Sequence, residues 1–507
     1  MLKKALAAVP GCGNRPEDGP QSRLFSGESA LNFELMKSFC VHGHFYQPPR
    51  EDPFTGVISL EKGAKPFANF NERINAECYR PNAELGNFDV LSFNLGPTLA
   101  AWLESHDPPT YQRIVEADRR NRAAHGVGNA LAQAYNHTIL PLATRRDKET
   151  QIVWGVADFR HRFGHQPLGM WLPEMAVDQE TLEVLASQGI AFTILSPHQA
   201  RGQLDGAGLY RVRLPRGREI AVFFRDEALS NRLAFSSDLT NNAKDFAWNC
   251  LSDVHGPGER LRLIATDGET FGHHHRGGAR FLHDLLYEEA PSAGYEVTFL
   301  ARYWQEHPPT AEVEIIDGTS WSCGHGVARW REGCTCTQGD SGWKRHLRGA
   351  LDRLASEIDA LYQDEVKRWV ADPWQLRNGY IQVVLGEMEG RAFPAQQAGG
   401  KLTEEQAKRI LTLLETQYYR QAMYTSCGFF FEDLSRLEPR YVIAYAAKAV
   451  HLVKEATGIS LEEGFKRDLR LAVSWITEQT GEDIYDDIVQ GNRNPEFKVQ
   501  SSKSFEL

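Results

Sequence analysis

The segment Leu261–Glu269 has the sequence LRLIATDGE, a short apolar run that ends in two carboxylates. A second apolar run, Leu168–Leu172, is followed by Glu174 in the sequence LGMWLPE. Short apolar runs of this length are typical of strands that are buried on both faces of a parallel sheet. The two segments therefore predict buried strands whose ends carry acidic side chains.

Similar runs recur through the first 310 residues and alternate with helical patterns. The predicted strands are Ser38–His42, Asp89–Phe93, Ala130–Tyr135, Leu168–Leu172, Ile190–Leu195, Ile220–Phe224 and Leu261–Thr266. Strands that alternate with helices form a parallel sheet, and seven repeats without an obvious edge strand favour a closed or nearly closed barrel. The predicted fold class is therefore α/β, a seven-stranded parallel (β/α)7 barrel. Leu209–Leu214 and Ile220–Phe224 are predicted to form an added hairpin.

The pattern changes after about residue 310 and becomes mainly helical. Amphipathic segments at Trp343–Val370, Thr403–Tyr424, Pro439–Thr457 and Leu461–Glu478 predict a helical bundle on the barrel. Gly390–Gly400, with its glycines and proline, predicts a mobile loop. The predicted domains are a flexible N-terminal tail at 1–35, the catalytic barrel at 36–310, a connecting segment with a cysteine cluster at 311–341, a helical C-terminal domain at 342–490, and a tail at 491–507.

Composition limits the classes of partner. The chain has 507 residues, a formal net charge of -11, and 42% hydrophobic residues. A strongly negative charge disfavours binding to nucleic acid, which requires a basic surface. No apolar stretch is long enough for a membrane span, and the apolar run after the basic N-terminus is too short for a signal peptide. We expect a cytoplasmic protein with an uncharged substrate and no cofactor.

Eight cysteines in a chain of this length do not predict a disulfide framework. Four soft ligands nevertheless lie within fourteen positions, and they are Cys323, His325, Cys334 and Cys336. Such a set is able to close a tetrahedral zinc site. Because the spacing matches no common zinc knuckle, structural thiols or a local disulfide are the favoured interpretation, and zinc is the alternative.

Polar side chains follow four of the predicted strands. They are His42 and His44 after the first strand, His137 after the third, Glu174 after the fourth, and Asp267 and Glu269 after the seventh. The C-terminal ends of the strands in a parallel barrel meet on one rim, so these groups are expected to gather there. Two carboxylates at such a rim are what cleavage of a glycosidic bond needs.

These motifs resemble those of glycoside hydrolase family 57, which includes α-amylases and 4-α-glucanotransferases. The family's four signatures correspond in order to His42–Pro48, His137–Pro141, Trp171–Glu174 and Asp267–His273. The region that contains Met423–Glu432 resembles an uncharacterised helical extension on a bacterial branch of the family. The resemblance implies a retaining mechanism on α-linked glucans or oligosaccharides, with Glu174 as nucleophile and Asp267 as general acid/base, their carboxyl groups about 5–5.5 Å apart.

The resemblance also implies substrate-binding roles for residues around the carboxylates. His42, His44, His137 and His273 are expected to hydrogen-bond sugar hydroxyls, the alternative being histidines that are satisfied within the rim. Trp171 is expected to stack on a sugar, and Glu269 to support the catalytic pair. Arg225 and Asp226 are substrate contacts or a simple ion pair. For Trp321, Trp330 and Trp343, core packing is favoured over a glycan groove.

Two other classes of function stay open. A metal-dependent hydrolase, amidohydrolase or zinc mannosidase-like, would use His42, His44, His137 and Asp267 as metal ligands and Glu174 as base. A non-catalytic glycan-binding protein on the same scaffold is the third alternative, since fold does not fix function. The sequence does not distinguish hydrolysis from transfer to another sugar.

Overall fold

A computed structural model describes residues 37–206, 208–236, 242–251, 260–398 and 402–493. The tail predicted at 1–35 lies outside the described residues, as does most of the tail predicted at 491–507. The first three residues of the latter range, 491–493, are the end of a helix, so that part of the prediction is wrong.

All seven predicted strands are present, with ends shifted by a few residues. In chain order the strands are β1 (Lys37–Phe45), β2 (Ser92–Leu95), β3 (Ala130–Gln133), β4 (Met170–Trp171), β5 (Phe192–Leu195), β6 (Ala200–Arg201), β7 (Leu209–Arg213), β8 (Glu219–Phe224), β9 (Leu261–Asp267), β10 (Tyr295–Val297), β11 (Ala311–Glu312) and β12 (Glu314–Ile315).

The sheet is parallel where it carries the acidic motifs. β1 pairs in parallel with β2, β9 and β10, and the sheet continues through β3 to β4. A second sheet contains the parallel pair β5 and β8, and between the two sheets Gly169 and Phe192 form an isolated parallel bridge. The α/β class and the parallel sheet are therefore confirmed. Closure into a seven-stranded ring does not follow from these pairings and stays a prediction.

The predicted hairpin is confirmed, since β7 and β8 pair antiparallel from Leu209–Phe223 to Arg213–Glu219. Helices cover the parallel strands in the first 310 residues. They are α1 (Phe70–Ile74), α2 (Arg80–Glu84), α3 (Pro97–His106), α4 (Pro108–His125), α5 (Arg145–Phe163), α6 (Gln179–Ser187), α7 (Glu227–Phe235), α8 (Ala243–Asp245), α9 (Gly278–Asp284), α10 (Ala290–Ser292) and α11 (Leu300–Glu306).

Local chemistry explains where the long helices begin and end. Thr144 caps α5 by accepting a hydrogen bond from the amide of Asp147, and Asp178 caps α6 in the same way at Thr181. Gly164 ends α5 in a left-handed conformation, which glycine adopts without a steric cost.

From Ala328 onward the described chain is mainly helical, as predicted. Its helices are α12 (Ala328–Arg331), α13 (Trp343–Val366), α14 (Pro373–Gly379), α15 (Ile381–Val384), α16 (Ala392–Gln397), α17 (Glu404–Ala422), α18 (Cys427–Phe430), α19 (Leu437–Thr457), α20 (Glu462–Leu469) and α21 (Gly481–Arg493).

Two predictions in this region are wrong. The helix predicted at Leu461–Glu478 ends at Leu469, because Asp433 accepts hydrogen bonds from the Ser474 hydroxyl and the Trp475 amide and holds the chain in a turn. The loop predicted at Gly390–Gly400 contains α16, which buries Phe393. Residues 399 and 400 lie outside the described part.

The helical region packs against the sheet region through apolar and charged contacts. Ile139 and Ala176 belong to the same apolar core as residues of α13 and α19. Asp147 on α5 forms buried ion pairs with Arg377, at 3.1 Å, and with Arg420, at 2.9 Å. Breaking a buried ion pair leaves an uncompensated charge, so these contacts hold the two regions in one arrangement.

No helix in the described ranges has the length and apolar character that a bilayer crossing requires.

Gly155, in the middle of α5, provides a test of the packing of helix against sheet. A Cβ atom there would overlap the carbonyl oxygen of Gln133 on β3, whereas a Cβ on Gly349 in α13 would meet open space. We expect Gly155→Ala to lower the free energy of unfolding by about 1–3 kcal/mol through overpacking. Gly349→Ala is the matched control and should stabilise by about 0.4–1 kcal/mol. Urea unfolding of both variants measures the difference, and equal effects would contradict the packing.

Candidate active site

An open cavity of about 510 Å³ lies where the parallel strands end. Groups at or just after the ends of five strands reach it, namely His44 near the end of β1, His137 after β3, Glu174 after β4, Arg225 after β8, and Asp267 at the end of β9. Its volume is within the range of small-molecule sites, about 300–1,000 Å³. The predicted gathering of polar groups on one rim is confirmed for His44, His137, Glu174 and Asp267.

Glu174 lies in a short turn directly after β4. Its backbone is left-handed, with φ 57° and ψ 20°, a conformation that a side chain with a Cβ rarely adopts and that costs free energy. The same carboxylate oxygen accepts hydrogen bonds from Ser322 Oγ at 2.7 Å and Trp321 Nε1 at 3.1 Å. Burial raises the pKa of Glu174, while these two donors and the charge of Arg329 lower it and favour the ionised form.

Asp267 ends β9, and the parallel register places it beside His44 on β1. Burial, together with the negative charges of Glu269 and Glu174, raises its pKa to about 8. Arg225 opposes this shift. Asp267 is therefore protonated at neutral pH. The carboxyl group still reaches the cavity, since the residue is only partly shielded from solvent.

Glu269 lies on the same wall of the cavity, two residues after Asp267. Its Oε1 accepts hydrogen bonds from Tyr79 Oη at 2.6 Å and from the amide of Tyr46 at 3.3 Å. Burial raises the pKa of Glu269 to about 7. The cavity thus brings together carboxyl groups in different surroundings, with two donors arranged around Glu174 and a proton held on Asp267.

The histidines of the first and second motifs are bonded within the protein. His42 is fully buried, and its ring nitrogens are hydrogen-bonded to Ser92 Oγ at 3.0 Å and Asn94 Oδ1 at 3.2 Å. Burial lowers its pKa to about 3, so the ring is neutral. The prediction that His42 binds a sugar hydroxyl is wrong, because the ring does not reach the cavity. His42 instead fits the alternative interpretation, a histidine whose hydrogen bonds are satisfied within the rim.

His44 and His137 line the cavity but bond to each other through Nε2, at 3.1 Å. Nδ1 of His44 is hydrogen-bonded to Asn94 Oδ1 at 3.1 Å, and Nδ1 of His137 to Ser426 Oγ at 2.6 Å. Tyr46 stacks on His137 with ring centroids 3.9 Å apart. Burial lowers the pKa of both histidines. In this structure the pair is satisfied within the rim and presents neutral rings to the cavity.

His273 and Arg225 are placed at the cavity as predicted. His273 Nδ1 is hydrogen-bonded to Glu77 Oε2 at 2.5 Å. Arg225 donates to Ser196 Oγ at 2.6 Å and lies over the ring of Trp321, 4.9 Å from its centroid. Its guanidinium is therefore oriented by the protein and borders the cavity.

Two predicted substrate contacts are corrected. Trp171 is fully buried and stacks on His42 and His44, so no face of its ring is available to a sugar. Asp226 caps α7 by accepting from the Leu229 amide and pairs with Arg262. It therefore has a structural role in the interior, and it is not among the residues of the cavity.

The convergence required by the metal-dependent alternative is not found. Both ring nitrogens of His42, of His44 and of His137 are bonded to protein groups, as given above. Within the described ranges, the clustered residues with metal-binding geometry are Cys323, His325, Cys334 and Cys336, not the histidines of the rim. These four residues follow Ser322 in the chain and lie outside the cavity lining.

Sequence reasoning missed the groups that hold the carboxylates. Trp321 lines the cavity, unlike Trp330 and Trp343, which are core residues as favoured. Ser322 and Arg329 also come from the segment that connects the two regions. The helical region adds a further wall, made by Cys427, Phe430, Phe431 and Glu438. The sequence favoured core packing for Trp321, whereas the residue lines the cavity. No local pattern connects it with Glu174, 147 positions away.

Comparisons with known proteins agree with this geometry. The family profile described as Glycosyl hydrolase family 57 matches residues 63–316, half of the chain, and a domain of unknown function (DUF3536) matches residues 340–503. No curated protein matches the chain.

Solved structures with a similar fold cover most of the chain. An exo-type maltose-forming amylase from Pyrococcus sp. ST04 has a TM-score of 0.71 at 16% identity, covering 89% of this chain and 88% of that one. A GH57-type branching enzyme from Pyrococcus horikoshii has a TM-score of 0.54 at 16% identity, covering 93% and 97%. The α-amylase AmyC from Thermotoga maritima has a TM-score of 0.53 at 14% identity, covering 89% and 99%.

These likenesses concern the fold, whereas the profile match concerns the sequence of the sheet region that carries the cavity. The chain belongs to glycosyl hydrolase family 57 and is a glycoside hydrolase with a carbohydrate substrate.

Proposed function

We propose that this enzyme cleaves α-linked glucans or oligosaccharides by a retaining mechanism, with Glu174 as nucleophile and Asp267 as general acid/base. The observation that carries the proposal is the contrast between the surroundings of these two carboxyl groups in one cavity. Glu174 accepts hydrogen bonds from two donors, which favours its charged form, whereas Asp267 is held protonated by burial and by its acidic neighbours.

In the first step, a carboxylate oxygen of Glu174 forms a bond to the anomeric carbon as the glycosidic C–O bond breaks. The proton of Asp267 moves to the departing oxygen, and a covalent glycosyl-enzyme results. Asp267 is then a carboxylate and takes a proton from the incoming water or sugar hydroxyl. That hydroxyl attacks the anomeric carbon, releases Glu174 and restores the starting protonation. This sequence requires carboxyl groups about 5–5.5 Å apart.

The choice of α-linked glucans is supported by the names of the structural relatives, two amylases and a branching enzyme. The cavity offers the mixed surface that sugars need. Trp321, Phe430 and Phe431 provide apolar faces, and Arg225 and His273 provide polar groups. Hydrolysis and transfer use the same two carboxyl groups and differ in the acceptor.

We also propose that the seven parallel strands form a nearly closed barrel within residues 36–310. The bridge from Gly169 to Phe192 supports continuity between β4 and β5, and the amide of Asp226, just past β8, donates to the carbonyl of Leu263 on β9 at 2.7 Å. On this view residues 311–341 connect the barrel to a helical domain at 342–490. The chain length of each part fits a domain.

Glu174→Gln tests the proposed nucleophile. The amide keeps the shape of the side chain but cannot attack the anomeric carbon, so turnover of maltooligosaccharides should fall by about a thousandfold or more. Glu357→Gln, the same substitution at an exposed helix position, is the control and should leave turnover unchanged. Chromatography of the products gives the rate and separates shortened chains from disproportionated ones.

Retention of oligosaccharide binding by Glu174→Gln, measured by calorimetry, would exclude loss of folding as the cause. Normal turnover in this variant would contradict the assignment of Glu174. An unmodified protein that binds oligosaccharides but converts none of them would instead indicate a binding module.

The alkaline limb of the pH profile tests Asp267. Its pKa of about 8 predicts that kcat/KM falls as pH rises through that value, because the general acid loses its proton. Glu269→Gln removes a negative charge that raises this pKa, so the limb should move to lower pH. The measurement is the pH profile of kcat/KM for the unmodified protein and for Glu269→Gln on one glycoside. About ten points between pH 5 and 10 are needed for each. An alkaline limb at the same pH in both proteins would contradict the electrostatic effect of Glu269 on Asp267.

The acidic limb tests the environment of Glu174. Ser322→Ala removes a donor to the carboxylate, which disfavours the charged form and raises its pKa. The acidic limb of kcat/KM should therefore move to higher pH while the alkaline limb stays. Ser356→Ala, at an exposed position on α13, is the control. A shift of both limbs together would indicate a general structural effect instead.

A further inference from the structure

The connecting segment gathers four side chains with ligand chemistry outside the cavity. The ligand atoms of Cys323, His325, Cys334 and Cys336 all lie within 4.8 Å of one another. All three cysteines are free thiols. The other cysteines in the described ranges, Cys40, Cys78, Cys250 and Cys427, are distributed through the fold. Convergence of three thiols and an imidazole therefore distinguishes this cluster.

Four of the six ligand–ligand distances within the cluster lie close to the edges of a metal-centred tetrahedron. With Zn–S bonds of about 2.3 Å and Zn–N bonds of about 2.0–2.1 Å, S–S edges are about 3.8 Å and S–N edges about 3.6 Å. Cys323 Sγ lies 3.6 Å from Cys334 Sγ and 3.8 Å from Cys336 Sγ. His325 Nδ1 lies 3.9 Å from Cys323 Sγ and 3.3 Å from Cys336 Sγ. A disulfide would need sulfurs about 2.05 Å apart.

The backbone brings the four ligands together without a long helix or strand. After Cys323 the chain turns, with the amide of Gly326 donating to the carbonyl of Cys323 at 3.0 Å. The hydroxyls of Thr337 and Ser341 donate to the carbonyl of Cys334 at 3.2 and 3.3 Å. These bonds fix the two cysteine-containing turns, but they do not connect one turn to the other. A shared metal would make that connection.

Buried positive charge beside the cluster suits a thiolate centre. Arg329 and Lys344 are both buried and interact electrostatically with Cys334. Arg329 Nε has no hydrogen-bond partner in the described part of the structure. Three thiolates and a neutral imidazole around a divalent cation carry one net negative charge. Such a centre would compensate buried cations that otherwise incur a desolvation penalty.

We propose that Cys323, His325, Cys334 and Cys336 bind one Zn²⁺ ion in a closed tetrahedral site. Four protein ligands leave no open position, so the ion is structural and takes no part in bond cleavage. The ion would affect the active site through the residues that directly precede its first ligand in the chain. Ser322 and Trp321, which donate to Glu174, directly precede Cys323. The ion would hold this segment in place, and Trp321 and Ser322 are positioning residues in this arrangement.

Metal content of the full chain tests the site. The protein is purified without a polyhistidine tag, under reducing conditions and without chelator, and zinc is measured by mass spectrometry. We expect about one zinc per chain, as in other sites with three cysteines and one histidine. Cys334→Ser and Cys336→Ser should bind only a small fraction of that amount. Cys250→Ala, a buried cysteine outside the cluster, should retain all of it.

If the two cysteine variants do not fold, cobalt exchange on the unmodified chain tests the site instead. Co²⁺ in a tetrahedral thiolate site gives intense visible and sulfur-to-metal charge-transfer absorption, and zinc should abolish these bands. Zinc-free protein that neither takes up zinc nor shows the cobalt spectrum would overturn the proposal. So would zinc retained equally by the cluster variants, or a native Cys323–Cys334 disulfide found by peptide mapping.

The positioning role rests on the proposed function and has a separate readout. Removal of zinc should move the acidic limb of kcat/KM to higher pH, in the same direction as Ser322→Ala, because the donors to Glu174 are released. An unchanged acidic limb in zinc-free protein would overturn the positioning role. Zinc content is measured independently of activity, so failure of the zinc site and failure of the glycosidase assignment give different results.

Discussion

The parallel pairing of β1 with its neighbours fixes the site, because it brings several strand ends to one edge. His44 lies opposite Asn94 on β2 and opposite Asp267 on β9. A shift of one residue in this register would turn each side chain to the other face of the sheet. The strands are buried on both faces, so the hydrophobic core opposes such a shift. Backbone hydrogen bonding and core packing together determine where the acidic groups lie.

The ionisation state that suits catalysis works against the stability of the fold. Burial that keeps Asp267 protonated raises its pKa from the ordinary value of a carboxyl group to about 8. Between those two values the unfolded chain ionises while the folded chain does not, so the fold loses stability as pH rises. The left-handed backbone at Glu174 adds local strain. A left-handed residue of this kind persists where the surrounding structure determines its conformation.

Local sequence patterns predicted the strands and both carboxylates, because short apolar runs and the polar residues after them are local features. The donors to Glu174 were not predictable in this way, since Trp321 and Ser322 approach from a distant segment without a strand or long helix. Trp171 shows a second limit. An aromatic residue beside a carboxylate fits both a sugar platform and the core, and only the stacking of His42 and His44 decides between them.

The helical region supplies one wall of the cavity through Phe430, Phe431 and Glu438, whereas both proposed catalytic groups belong to the sheet region. One part of the shape of the binding space is thus encoded in a different stretch of the gene from the proposed catalytic groups. Mutations in the second stretch can alter which carbohydrates are accepted while the reaction itself is preserved. Diversification of this lineage can therefore proceed by remodelling its C-terminal half.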